Sequence, residues 1–128
     1  MTSEVQLAAA EALVHAAEDE AREAARYWEQ QWLAFPTVSR DEHGAWHYWD
    51  VGKDSGVYQD DWPRGDRLAR DTILQMQRFP QGASILRRIL REMDLESIVA
   101  QGFLNRIEDA LTYPRAFLPE ALETKDRA

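Results

Sequence analysis

The chain has 128 residues, of which 45% are hydrophobic and 30% charged, an ordinary globular balance that argues against wholesale disorder. It contains no cysteine, which removes disulfides, thiolate nucleophiles and sulfur-ligated metals. Its net charge of −8 is uneven: residues 1–63 hold 13 acids and 4 bases (−9), residues 64–106 hold 5 and 8 (+3), and residues 107–128 hold 5 and 3 (−2). An acidic half of this kind repels a phosphate backbone, so nucleic acid is not the expected partner; a basic protein surface, or a second copy of the chain, is. The most apolar stretch, around Ala8 to Ala17, is broken by Glu11, so neither a membrane span nor a secretory leader is expected. The chain reads as one cytoplasmic domain.

Ser3 and Gln6 have the spacing of a capping box, predicting a helix over 3–35. Advancing 100° per residue, Leu7, Ala10, Val14, Ala17, Ala21, Ala24, Trp28, Trp32 and Phe35 fall within an arc of about 100°. Glu11, Arg22, Glu23, Arg26 and Glu29 take the opposite side, and Pro36 ends the element. Such a rod would be roughly 48 Å long, against a diameter of roughly 36 Å for a compact chain of this size. It must therefore bend, break or overhang. The small side chains of Ala10, Val14, Ala17, Ala21 and Ala24 allow another helix to approach closely, and a homodimer through this stripe is expected.

Residues 45–62 change character. Trp46, His47, Tyr48, Trp49 and Val51 are strand formers, as are Val57 and Tyr58, and Gly52-Lys53-Asp54-Ser55-Gly56 has turn composition between them. A β-hairpin is predicted, with Trp46 and Tyr48 on one face and Trp49 on the other. So small a sheet cannot bury both faces, so some ring surface is expected to stay open. Trp46, Tyr48, Trp49 and Trp62, ringed by Asp50, Asp54, Asp60 and Asp61, form the expected contact set for a protein partner.

Three further helices are predicted over 66–112. Asp66 caps one that runs to Phe79, a second runs from Ser84 to Met93, and Asp94 caps a third that reaches Thr112. Pro114 and Pro119 follow, and 120–128 is expected to be a frayed tail. The fold class is mainly α: a long N-terminal helix, about three more helices and one small inserted hairpin.

His43 and His47 near Asp41 or Asp50 could supply a nitrogen–oxygen metal site, but Gly44 kinks the backbone between them and the helical His-Glu-x-x-His spacing is missing. Asp50, Asp54 and Asp61 occupy positions one, five and twelve of a calcium loop, yet Gly52 stands at three and Ser55 at the glycine position six. The Gly52–Gly56 stretch lacks phosphate-loop spacing. Arg64-Gly65-Asp66 reads as a bend delivering a helix cap, and the five serines include no nucleophile elbow. No metal and no cofactor are expected.

These residues predict a small acidic non-enzymatic protein that binds another protein and occludes its surface. An inhibitor or anti-defence accessory protein of bacterial or phage type is the specific form. Two rivals remain: a metal-dependent enzyme centred on His43, His47, Asp50 and Asp61, and a nucleic-acid regulator using the arginine face Arg87, Arg88 and Arg91.

Overall fold

The computed structural model describes residues 2–80 and 84–113; Pro114, Pro119 and the tail expected at 120–128 lie outside them. The elements in chain order are α1 (Thr2–Leu33), β1 (Ser39–Arg40), β2 (Trp46–His47), α2 (Tyr58–Arg78), α3 (Ile85–Glu92) and α4 (Ile98–Thr112). The fold is mainly α with one small antiparallel hairpin, as the periodicities predict. The chain divides into two compact units, one running to Gln31 and the other beginning at Trp32.

The first unit is a single unbroken helix. Ser3 lies inside its first turn instead of preceding it as a cap. Glu18 and Arg22 pair at 3.6 Å, and Arg22 also reaches Asp19 at 3.8 Å. Acid-before-base pairs at this spacing support a solvated helix by a few tenths of a kcal/mol, about 0.3 each. Every residue from Ser3 to Trp28 is exposed, the apolar stripe from Leu7 to Trp28 included, whereas Trp32 is half-buried and Phe35 is buried.

The second unit is built on the crossing of α2 and α4. Gly65 and Gly102 are the pinch points. A Cβ at Gly65 would fall onto the Val99 carbonyl, and one at Gly102 onto the Trp62 carbonyl. Glycine is therefore required at both positions by close approach of two backbones. Arg106 on α4 spans to α2, donating through Nε to Asp66 Oδ1 at 2.8 Å and through Nη2 to Asp66 Oδ2 at 2.6 Å, a fork-on-carboxylate pair. Around this crossing Phe35, Val38, Tyr48, Ala69, Ile85, Ile89, Met93, Ala100 and Phe103 form the buried core. One buried hydroxyl, Thr37 Oγ1, has no hydrogen-bond partner among the described residues.

The hairpin and α2 depart from their predicted positions. The strands are Ser39–Arg40 and Trp46–His47, paired Ser39 with His47 and Arg40 with Trp46. The turn between them is made by Asp41, whose Oδ1 accepts the N–H groups of His43 and Ala45 at 2.9 Å each, and by Gly44 at φ 82°. An Asp side chain closing its own turn ahead of a left-handed glycine is a sufficient reason for the reversal. Gly52 and Gly56 also have positive φ, so their stretch turns as expected, but it opens into a helix. Val57 precedes α2, and Asp60 and Asp61 stand in its first turn, where the helix dipole favours acids. Trp62-Pro63 does not stop the chain. Pro63 sits early in α2, and it and Gln59, whose carbonyl loses a donor, are both exposed and open to water.

Two predicted caps are likewise reassigned. Asp66 is an α2 residue paired to Arg106 and caps nothing. Ser97, not Asp94, precedes α4 and accepts from the Ala100 N–H; Asp94 Oδ1 instead takes the Glu96 N–H in the turn before it.

Candidate functional site

The residues marked as a contact set fall into two groups. Asp54 and Asp61 are spent inside the second unit. Asp54 accepts from Ser97 Oγ at 2.6 Å and from the N–H groups of Ile98 and Val99 at 2.7 and 3.4 Å, closing the start of α4 from 43 residues or more away in sequence. Asp61, 2% exposed, accepts from the Ser55 N–H, Ser55 Oγ and the Gly56 N–H. Arg64 completes the clasp by donating to the carbonyls of Val51 and Lys53. The bond from the Ser97 hydroxyl, then that from Ile98, holds Asp54 below the usual carboxylate range. The Ser55 N–H does the same for Asp61. Tyr48 is buried in the core. All three side chains are thus engaged within the second unit.

The remaining rings are half-buried or carried on exposed polar surroundings. Trp46 meets Trp32 edge-on at 5.7 Å, and Trp32 meets Tyr48 at 5.5 Å. Guanidinium groups close both ends of this row: Arg40 lies 5.3 Å over Trp46, while Arg88 lies 5.0 Å over Trp32 and 5.5 Å over Tyr48. Trp49 turns the other way and meets Phe103 edge-on at 5.1 Å. The alternation predicted for Trp46, Tyr48 and Trp49 is thus present. Trp62 stacks on Tyr58 at 5.6 Å, and Tyr58 itself is 54% exposed. Asp50 and Asp60 are exposed.

His47 Nε2 donates to Asp41 Oδ2 at 2.9 Å. The hydrogen bond from His47 keeps Asp41 ionised below its ordinary range, and the same bond raises His47 above its own. Ser39 Oγ lies across the strand pair but donates to Asp50 Oδ2 at 2.5 Å, so no serine is aligned on the imidazole. Of the four residues of the metal-enzyme rival, His47 and Asp50 line one groove with Asp41 and Glu92, while His43 stands beside Glu42 at 3.4 Å and Asp61 is held by Ser55 and Gly56. Among the described residues no three His, Asp or Glu side chains gather as metal ligands.

Beside this cluster, across Glu92, α3 presents Arg87, Arg88 and Arg91 to an open groove floored by Tyr48. The sequence marked these arginines, but their joining to Tyr48, 40 residues away from Arg88, had no local signal. Along α1, Ala10, Val14, Ala17, Ala21 and Ala24 are all exposed. No helix among the described residues is long and apolar enough to cross a membrane.

The chain matches no protein-family model, no curated protein and no solved structure.

Proposed function

We propose that this chain is a non-enzymatic protein-binding protein that works by occluding a partner's surface and that pairs with a second copy of itself through α1. The observation that carries the reading is the exposed apolar row of α1. Leu7, Ala10, Val14, Ala17, Ala21 and Ala24 are spaced alternately by three and four residues, and each is exposed. That spacing is the seam of a two-helix coiled coil, and alanine at every second seam position lets two backbones come close. Val14 is 55% exposed and Leu13, beside the seam, 72%, apolar surface that a helix partner would remove from water.

The partner-facing rings in this reading are Trp46, Trp49 and Trp62, with Asp50 and Asp60 at the rim. Acids outnumber bases by seven (Glu4, Glu11, Glu18, Asp19, Glu20, Glu23, Glu29) to two (Arg22, Arg26) in residues 1–31. A balance of −5 steers the helix toward a basic surface. Occlusion of a nucleic-acid-binding groove by these carboxylates is the specific inhibitory form. Capture of a basic protein from the native host by the wild-type chain, lost on Trp46→Ala/Trp62→Ala but not on Ala17→Glu, tests the docking half. Equal capture by all three proteins would count against the rings.

A further inference from the structure

The second unit carries a groove that the α1 pairing does not use. It offers about 360 Å³ between Tyr48, Ser84, Arg87, Arg88, Arg91 and Glu92. The three arginines and Ser84 recur at the spacing of one helix face, so their side chains converge along one wall. Their bonding is unequal. Arg88 is held: Nη1 donates to the Tyr48 hydroxyl at 3.0 Å while its guanidinium lies over two rings. Arg87 and Arg91 are exposed and have no ion pair, ring contact or hydrogen bond among the described residues. Glu92 is the one acid among the described residues that line the groove, and its Oε2 is turned inward to accept the Tyr48 N–H at 2.7 Å. Three cations against one acid give the described lining of the groove a charge of +2 in a chain whose total is −8.

We propose that this groove binds a phosphomonoester dianion. Two guanidinium forks with no partner among the described residues match the oxygens of one phosphate. The Tyr48 hydroxyl accepts from Arg88 and so keeps its own proton to donate, and Ser84, whose side chain makes no cap bond, offers another hydroxyl. A local charge of +2 balances a dianion. A long polyanion such as duplex DNA would meet the acidic remainder of the chain, so a compact phosphate is the better fit. The described lining belongs to the second unit, and this proposal does not rest on the pairing of α1.

Isothermal titration calorimetry at about 50 mM salt, where exposed charges are least screened, tests it with inorganic phosphate, O-phosphoserine, a phosphoserine peptide and its unphosphorylated form. One saturable site is expected for the phosphates and none for the unphosphorylated peptide. Arg87→Ala/Arg91→Ala should weaken binding at least about tenfold with an unchanged melting curve, because neither side chain has a partner to lose among the described residues. Arg67→Ala, an exposed arginine on α2, should leave binding unchanged. Phosphate and peptide binding alike supports a free phosphate as ligand; tighter peptide binding supports a phosphorylated partner chain. The absence of saturable binding, binding indifferent to the double variant, or tighter binding of a duplex DNA oligomer would overturn the site.

Discussion

Residues 3–28 and residues 58–106 are both largely helical, yet they spend their side chains in opposite ways. In α1 the apolar row faces water, and the ion pairs join neighbours on the same helix. In α2 and α4 the glycines are pressed against the facing backbone, and the charged groups are fastened across the crossing. Asp54, Asp61, Asp66, Arg64 and Arg106 all tie one segment to another. A side chain that fastens two segments is costly to replace; one that faces water on a free helix is open to use by a partner. The cross-segment fastenings thus lie in the second region, while the apolar row of the first is left exposed.

The largest test of that contrast is the helix crossing. Gly102→Ala, or Gly65→Ala, forces a methyl into a carbonyl and should cost about 3 kcal/mol or more, lowering the melting temperature by more than about 10 °C. Calorimetry reads this directly, and an unshifted melt would mean that α2 and α4 do not pack as closely as described. Next is the Arg106–Asp66 pair. Arg106→Ala strands a partly buried carboxylate and should cost about 2 kcal/mol in urea unfolding, whereas Ala17→Glu on α1 should stay within about 0.5 kcal/mol.

Much of this division was legible in the residues, but unevenly. The apolar period of α1 and the run Ile85–Met93 announced their helices, and Trp46-His47 announced a strand. Ser39-Arg40 could not, since two residues carry no alternation. Tyr58 reads as a strand former, yet it opens α2, because a proline in an early helical turn with its missing bond on the wet side costs little. Asp54 and Asp61 look like any surface acids; their partners are fixed only when a loop folds back on a helix start. One signal was present and unused: Gly65 and Gly102 interrupt otherwise helical patterns, and a glycine there asks for a packing reason. Arg64-Gly65-Asp66, read as a bend, instead ties a loop, admits α4 and pairs with Arg106.

The pH dependence should separate the fastenings. Asp41, Asp54 and Asp61 all lie below their ordinary 3.8, so their stabilisation is complete above that pH and is lost as pH falls through the lowered folded values. His47 lies above its ordinary 6.5, so its contribution is complete below 6.5 and is lost as pH rises through the raised value. Stability should therefore peak between about pH 4 and 6.5. Asp54→Asn should flatten the acid limb, and His47→Ala the limb above 6.5, in melting curves taken across pH. The smallest expected effect is at Thr37. Its hydroxyl is buried without a partner, so Thr37→Val should be neutral or stabilise by up to about 1 kcal/mol, and a clear loss would reveal a bond to that oxygen.

The contrast stands or falls on what α1 does in solution. Light scattering on the size-exclusion peak at tens of micromolar should give twice the mass of the 14.8 kDa chain and return the single mass for Ala17→Glu. Because Glu11, Glu18 and Glu20 flank the seam, the paired fraction should rise with salt. A wild-type chain that stays at 14.8 kDa at every salt concentration would contradict the account.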